Sequence, residues 1–350
     1  MTALALSADE RSLISFGVDG RGIRWDLEHL RMEAVYEEPD GGPVCALVLL
    51  PNGDVLTGGY GGEVSRWSPQ GKCIRKYICC RASGRPARLV DPDGFIRQVD
   101  AAVLGLAASA DGSMFVAATP EGPKLFDLQT GQLVRIFPGY RGWVTAVCCG
   151  PDGELLYSAG ADGLLLVHQM ATGKRLRTFQ LSYCQSDRVM GLVAGLSVGK
   201  DYLVSASTEG NCLGCLWHAP TGRFLDSYNG LGPVFVACFS RDGRRLIIPV
   251  YDGSLWIYRI GDCGGPAVIP GDSGPVYALA SSRDGRYLFS GGYDHTVRIW
   301  DLQQQSLLAC LGTRGGLMPC KDFQEGCFGL SHRAISLHHK MERSRRRIHL

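Results

Sequence analysis

The sequence predicts an all-β fold in which seven four-stranded antiparallel sheets are arranged as the blades of a propeller. Three observations lead to this prediction. A frame of about 42 residues recurs along the chain, and Asp-Gly or Asn-Gly turns separate short apolar runs inside each copy. In addition, 47 of the 350 residues are glycine, without a collagen period. Many tight turns between short β-rich runs are typical of all-β proteins.

The repeat is clearest between Ser290 and Leu302, SGGYDHTVRIWDL, and a second copy begins at Ser15 with SFGVDGRGIRWDL. In the five clearest copies, ten residues separate the opening residue from an aromatic or His residue near the end. Seven such end positions occur, at intervals of 42, 59, 42, 49, 41 and 42 residues. They are Trp25, Trp67, Phe126, His168, Trp217, Tyr258 and Trp300.

Each unit is predicted to contain four strands, of which the third ends at this aromatic or His position. Gly turns join the first three strands into hairpins, because tight hairpin turns need residues that adopt positive φ. A fourth strand follows in six units, at Met32 to Glu37, Lys72 to Ile78, Leu133 to Phe137, Leu176 to Phe179, Phe224 to Tyr228 and Leu307 to Leu311. A four-stranded sheet of this size cannot bury its faces alone, so neighbouring sheets are expected to stack around an axis.

These motifs resemble the WD-repeat β-propeller family. The resemblance rests on the Trp-Asp pairs that begin at Trp25 and Trp300, each with an Asp six residues before the Trp, and it covers roughly residues 2 to 312. It implies a buried hydrogen-bonded network of a third-strand Trp, a second-strand Ser or Thr, a turn Asp and a His before the first strand. The implied members are Ser15, Asp19, Trp25, Ser290, Asp294 and Trp300.

The His of this network is missing from the sequence. In the last unit its position falls on Asp272, and no other unit supplies a His there. A buried polar network that lacks one member must be completed by water or lose part of its stabilisation. We therefore expect shallow local stability rather than a different fold.

Two basic segments interrupt or follow the repeats. We assign residues 1–312 to the propeller, with an insertion at 79–101 between units two and three, and residues 313–350 to a flexible C-terminal tail. Gly71 to Asp100 contains seven Lys or Arg against three Asp, and Ser331 to Leu350 contains six against one Glu. Such segments can contact an acidic partner or a phosphate backbone. They can equally be a solvated insertion and a mobile tail.

The sequence contains letters that resemble catalytic and metal-binding motifs, but the partner residues that such sites need are missing. The letters GDSGP at residues 271–275 are close to the nucleophile box of trypsin-like proteases, but Ser273 aligns with Gly41 and Leu231 in other units. No His lies in a context that would make it the base of a triad. Cys212 and Cys215 form a CxxC without a second pair, and no phosphate-binding glycine motif is present. The sequence therefore predicts no enzyme, cofactor, metal site or small-molecule substrate.

The candidate binding residues come from the resemblance. In the WD-repeat family, the residue before the turn Asp opens onto the top face, where partners dock. The corresponding tyrosines, together with two residues before the first strand of unit four, are Tyr60, Tyr251, Tyr293, Arg141 and Trp143. Tyr, Trp and Arg dominate protein interfaces, although these rings could instead pack between adjacent loops. We expect a non-catalytic scaffold that docks partner proteins, with an RNA- or DNA-binding propeller as the alternative.

The net charge, the N-terminal sequence and the cysteines indicate the cellular compartment, and the first strand bears on ring closure. A formal net charge of +2 favours neither nucleic acid nor a membrane surface, and Met1 to Glu10 has no signal-peptide pattern. We expect an intracellular protein, cytoplasmic or nuclear, without a membrane partner and with its fourteen cysteines as free thiols. The first predicted strand, Thr2 to Leu6, leaves no latch strand before it. Ring closure is thus expected to be unlatched, assisted by the tail, or completed in a longer chain.

Overall fold

The protein is described by a computed structural model. It covers residues 1–39, 41–81, 87–90, 96–180, 193–199, 201–207, 214–228, 234–240, 243–262, 264–271, 274–312 and 316–317. Within these ranges every regular element is a β-strand, and seven antiparallel sheets of four or five strands follow one another along the chain, with a separate two-stranded sheet between the second and the third. The seven-bladed propeller predicted from the repeat is therefore confirmed. None of the described residues forms a helix long and apolar enough to span a membrane.

The first three blades carry the insertion between the second and the third. Blade 1 contains β1 (Ala3–Leu6), β2 (Ser12–Phe16), β3 (Arg21–Asp26) and β4 (Arg31–Glu37). Blade 2 contains β5 (Val44–Leu49), β6 (Val55–Gly59), β7 (Glu63–Trp67) and β8 (Cys73–Ile78). The insertion forms a hairpin of β9 (Ala87–Val90) and β10 (Ile96–Val99). Blade 3 contains β11 (Gly105–Ala108), β12 (Met114–Thr119), β13 (Gly122–Asp127) and β14 (Leu133–Ile136).

The last four blades repeat this pattern. Blade 4 contains β15 (Val144–Cys149), β16 (Leu155–Gly160), β17 (Leu164–Gln169) and β18 (Arg175–Gln180). Blade 5 contains β19 (Val193–Val198), β20 (Tyr202–Ser207), β21 (Gly214–His218) and β22 (Phe224–Tyr228). Blade 6 contains β23 (Cys238–Phe239), β24 (Arg245–Pro249), β25 (Leu255–Arg259) and β26 (Ala267–Ile269). Blade 7 contains β27 (Val276–Ser281), β28 (Tyr287–Gly292), β29 (Thr296–Asp301), β30 (Ser306–Gly312) and β31 (Gly316–Leu317).

The first strands of the blades surround the axis. In every blade the strands pair in chain order, each antiparallel to the next. The first strand of each blade contacts the first strand of the following blade, and this sequence of contacts closes from β27 back to β1. The fourth strands therefore lie at the outer rim of the ring.

The hydrophobic core lies in the seams between blades. Successive side chains of a strand point to opposite faces of the sheet, so each blade contributes to two seams. In β24, for example, Leu246 and Ile248 pack in the cluster shared with blade 5. Between them, Ile247 packs in the cluster shared with blade 7. Each seam thus depends on alternating residues from two neighbouring repeats.

The ring closes by packing between blades 1 and 7. Leu13 and Trp25 of blade 1 share one buried cluster with Phe289 and Leu311 of blade 7. The backbone nitrogen of Met1 also donates to the Gly292 carbonyl oxygen at 2.9 Å. Each of the seven sheets consists of strands consecutive in the described sequence, so no strand is exchanged across this seam. Among the described residues, the seam has no exchanged strand, but β31, which belongs to the predicted tail, pairs with β30 and contacts β4 of blade 1. Closure without a latch strand and closure assisted by the tail, two of the three expected forms, are therefore combined here.

Three elements differ from the sequence prediction. The fourth strand of the sixth unit, β26, was expected from the four-stranded repeat but was not located in the sequence, because it is only three residues long and follows a Gly-rich turn. The insertion was predicted to be a loop, but it forms the β9–β10 hairpin, in which Arg88 pairs with Gln98 and Leu89 with Arg97. The strand β31 adds a fifth strand to blade 7 beyond the predicted propeller limit of 312. The rest of the predicted tail, 318–350, lies outside the described residues.

Candidate functional site

One face of the ring carries the turns between second and third strands and the loops that lead into first strands. We call it the top face. In blades 2, 4 and 7 these two kinds of loop are hydrogen-bonded to each other, and in blade 6 the Tyr251 turn is closed by its own backbone hydrogen bonds. In blade 7 the Tyr293 nitrogen donates to the Pro275 carbonyl oxygen at 3.0 Å, and in blade 4 the Ala161 nitrogen donates to the Trp143 carbonyl oxygen at 2.8 Å. The top face is therefore a surface held by the backbone.

Tyr251 and Tyr293 project from the top face at neighbouring blades. They lie in the second-to-third-strand turns of blades 6 and 7, and their exposures are 53% and 51%. The Tyr293 ring lies at 6.5 Å from the His295 ring, with an interplanar angle of 27°. His295 adopts a φ of 61°, in the left-handed region, within this tight turn. Half-exposed aromatic rings on a fixed backbone are well suited to contact a partner.

Tyr60 and Trp143 lie on the same face but are partly buried. Both pack against a small cluster of Val99 and Ala102 at the base of the insertion. Tyr60 also forms an isolated antiparallel bridge with Ala102. These two rings therefore pack between adjacent loops, which was the alternative to direct contact with a partner. Arg141 is exposed beside them.

A cavity of about 260 Å³ opens beside Tyr60, between blades 1 and 2. Glu38, Glu63 and Lys76 line it. Lys76 Nζ lies 3.2 Å from Glu63 Oε2. The five predicted binding residues are thus divided into an exposed pair on blades 6 and 7 and a second group around the insertion.

The third-strand Trp residues are tied to their second strands. In four blades the indole Nε1 donates to a Ser or Thr hydroxyl oxygen of the same blade at 2.8 to 3.2 Å. The pairs are Trp25 with Ser15, Trp67 with Thr57, Trp217 with Ser205, and Trp300 with Ser290. Each buried indole N–H therefore has an acceptor, as a buried polar group requires.

The turn Asp residues hold their own turns. Asp19 Oδ1 accepts from the Arg21 nitrogen at 3.2 Å. Asp294 accepts from the Thr296 hydroxyl at 2.9 Å, and its carboxylate lies 3.1 Å from the Arg298 guanidinium. These contacts fix the turn that presents Tyr293.

The missing His is replaced in two blades by other residues. In blade 2, Glu38 accepts hydrogen bonds from the Thr57 hydroxyl at 2.7 Å and the Ser65 hydroxyl at 3.2 Å. In blade 4, the Tyr140 hydroxyl donates to Ser158 Oγ at 2.8 Å. The expectation that the networks must be completed by water or lose stabilisation is therefore wrong for these blades. The sequence held the signal in Tyr140, which stands at the His position of its unit.

His168 occupies the Trp position of blade 4 and is fully buried. Its Nε2 lies 3.0 Å from the Pro138 carbonyl oxygen, and its ring lies 5.5 Å from that of Phe137. Among the described residues, Nδ1 has no hydrogen-bond partner. Burial lowers the pKa of His168 because the charged imidazolium would lose its hydration.

The catalytic and metal candidates of the sequence receive no further support. Ser273, Asp272 and Cys212 lie outside the described residues. Cys215 is a buried residue of the seam between blades 4 and 5. In the part of the chain that is described, no three His, Cys, Asp or Glu side chains lie together as a metal site would require.

A comparison with protein families matches two of the blades, of which blade 7 contains the Trp300–Ser290 pair. The family described as WD domain, G-beta repeat, matches residues 131–169 and 266–301, which include the third strands of blades 4 and 7. The propeller therefore contains WD repeats in blades 4 and 7. The sequence resemblance to that family is thereby confirmed.

Similar proteins match this WD-repeat propeller over limited segments. A segment of 110 residues is 26% identical to eukaryotic translation initiation factor 3 subunit I of Lodderomyces elongisporus, covering 31% of this chain and 29% of that protein. A segment of 131 residues is 28% identical to small ribosomal subunit protein RACK1z of Oryza sativa subsp. japonica, covering 35% and 36%. Periodic tryptophan protein 2 of Arabidopsis thaliana is 24% identical over 230 residues, covering 52% and 26%. The chain thus spans between 26% and 36% of the length of these relatives.

Proposed function

We propose that this WD-repeat propeller is a non-catalytic scaffold that docks partner proteins on its top face. The observation that carries the proposal is the exposed pair of Tyr251 and Tyr293 on adjacent blades. The turns that present them are fixed by backbone hydrogen bonds, so little conformational entropy is lost when a partner binds. Tyrosine gives a large contact area with few rotatable bonds.

The second group of predicted residues extends this face. Tyr60 and Trp143 form a partly buried aromatic base beside the insertion, and Arg141 is exposed next to them. Interfaces typically combine a buried aromatic centre with a polar rim. We infer that a partner contacts Tyr251 and Tyr293 first and that Arg141 contributes at the rim.

The names of the relatives support a role in assemblies. One is a subunit of a translation initiation factor and another is a protein of the small ribosomal subunit. We propose by analogy that this chain also acts inside a multiprotein complex, in the cytoplasm or the nucleus.

The test is quantitative affinity capture with paired substitutions. Tyr251→Ala with Tyr293→Ala should remove most partner proteins from the captured set while the melting temperature changes little, since both rings are half exposed. Ile74→Ala is the matched control, because Ile74 is 51% exposed on the outer strand of blade 2. An unchanged captured set would refute the proposed face. Loss of the set on nuclease treatment of the extract would show that nucleic acid, rather than protein contact, holds it.

A further inference from the structure

A cavity of about 460 Å³ lies on the face opposite to the top face, between blades 6 and 7. Its walls are the ends of β24 and β25 and the turns that follow the third strands of both blades. Two guanidinium groups, those of Arg245 and Arg259, line it. The cavity is separate from every residue assigned to partner docking above.

Arg245 and Arg259 stand directly opposite each other in the β24–β25 register. Residues paired in this way have Cβ atoms about 5 Å apart on the same side of the sheet. On that side the next pair inward is Ile247 with Ile257, and both pack in the seam with blade 7. The arginines therefore continue this row into the cavity. Like charges directly opposite each other destabilise a sheet.

In the two clearest repeats, the residue equivalent to Arg259 is an aspartate. Asp26 of blade 1 and Asp301 of blade 7 occupy the same place, where the third strand ends opposite the start of the second. Asp301 accepts from Arg286 Nε at 3.2 Å and Nη2 at 3.1 Å. At this place blade 6 has two opposed arginines, Arg245 and Arg259. In blade 7 an aspartate there forms an ion pair with an arginine that directly precedes the neighbouring strand.

No described residue forms an ion pair with Arg245 or Arg259. Nη1 of Arg245 is shielded from solvent and has no hydrogen-bond partner among the described residues. Asp262 is the one carboxylate among the lining residues, and its Oδ1 accepts from the Gly264 nitrogen at 3.1 Å. A shielded guanidinium nitrogen without a hydrogen-bond partner costs free energy, and Arg259 is exposed to the cavity and to solvent. An anion in the cavity would give Nη1 an acceptor and reduce the repulsion between the two opposed charges.

We propose that this cavity binds a phosphate monoester. A monoester carries a charge of about −1.5 to −2 at neutral pH and three acceptor oxygens, which suits two guanidinium forks. A carboxylate has one charge and two oxygens and satisfies a single fork. The volume exceeds that of the phosphate alone. It leaves room for the group that carries the phosphate, either a phosphorylated side chain of a partner or a small phosphorylated metabolite.

The binding test uses the full chain and isothermal titration calorimetry at low salt. Phosphoserine amide stands for the protein source, glycerol 2-phosphate for the metabolite source, and aspartate amide for a carboxylate. At least one monoester should bind about tenfold more tightly than aspartate amide. The tighter monoester identifies the source. If neither monoester binds, or if aspartate amide binds equally well, the proposal is overturned.

Variants assign the binding to the cavity. Arg245→Gln and Arg259→Gln should each weaken monoester binding roughly ten- to a hundredfold, as expected for the loss of charge-assisted hydrogen bonds. Asp262→Asn should strengthen it. Arg223→Gln is the control, because Arg223 is exposed at the equivalent turn of blade 5 and lies outside the cavity. Equal weakening by the control variant would contradict the assignment.

Folding of the variants is checked separately. Removing one of two opposed charges should leave the melting temperature without ligand equal to or above that of the parent chain. If a Gln variant does not fold, the Asp262→Asn result still decides, since unchanged or weaker binding would overturn the proposal. Top-face substitutions should not alter monoester binding, so failure of the docking proposal remains distinguishable.

Discussion

His168 is a buried titratable group whose protonation affects the stability of blade 4. Its pKa is lowered in the folded state from the ordinary value of 6.5 because the ring is desolvated. The unfolded chain therefore binds more protons than the folded chain once the pH falls below about 6.5. The stability that the neutral ring provides is fully present above that pH and is lost as the pH falls towards the folded-state pKa.

We predict that His168→Phe flattens this pH dependence. Phe126 holds the same position in blade 3, so the ring of Phe is compatible with the site. Melting temperatures measured from about pH 7.5 to about pH 5 should fall less steeply in the variant than in the parent chain. His218→Phe, a change at a half-buried His of blade 5, serves as the control for the loss of an imidazole at another blade. Equal slopes for His168→Phe and the parent chain would contradict the prediction.

Tyr140→Phe tests the replacement of the missing His. The substitution removes the hydroxyl that donates to Ser158 Oγ at 2.8 Å and leaves the ring in place. We expect a loss of about 1 kcal/mol in the free energy of unfolding, the usual contribution of a hydrogen bond. Denaturant titration measures it. Tyr251→Phe, which removes a hydroxyl from a half-exposed ring, should cause no comparable loss.

At the scale of elements, the third strands were the most predictable parts of the chain. A Trp such as Trp25 has a Ser ten residues earlier, and that spacing already encodes a hairpin with a buried hydrogen bond. The fourth strand of unit six was expected from the repeat, but β26 could not be located because it has three residues and no aromatic residue at its end. The roles of Glu38 and of the Arg245–Arg259 pair depend on register and on loop path. Those become known only when the strands are aligned in space.

The insertion hairpin gives a prediction at the same scale. Its base is held by the hydrogen bond from the Gly61 nitrogen to the Ala101 carbonyl oxygen at 2.9 Å and by the packing of Val99. Replacing residues 83–97 with a short Gly-Ser linker should leave these contacts intact. The free energy of unfolding should then change by less than about 1 kcal/mol, since loop length alone has a small effect. A larger loss in denaturant titration would show that the hairpin supports the ring.

At the scale of the whole molecule, the seam between blades 1 and 7 differs from the other six. Neighbouring blades elsewhere are also joined by the chain that runs from one fourth strand to the next first strand. Between blades 7 and 1 the described contacts are side-chain packing, a few hydrogen bonds, including that of Met1, and the contact of β31 with β4. Opening of the ring should therefore begin at this seam.

Hydrogen exchange with a matched pair of substitutions tests this expectation. Leu13 and Leu203 are both fully buried, and each lies opposite a third-strand Trp in its blade. Either change to Ala should cost about 2 to 5 kcal/mol of local packing. Leu13→Ala should raise amide exchange in blades 1 and 7 together, whereas Leu203→Ala should affect blades 4 and 5. Loss of protection in blade 7 after Leu203→Ala alone would place the weak point elsewhere.

The seam also has a consequence for synthesis on the ribosome. The apolar side of blade 1, with Leu13 and Trp25, is completed by Leu311, which is translated almost 300 residues later. At usual elongation rates this interval lasts roughly 15 to 60 s. During that time the apolar side of blade 1 is exposed on the nascent chain. We therefore expect chaperones to bind the incomplete propeller. The amount of folded protein in cells should depend on how quickly blade 7 is synthesised.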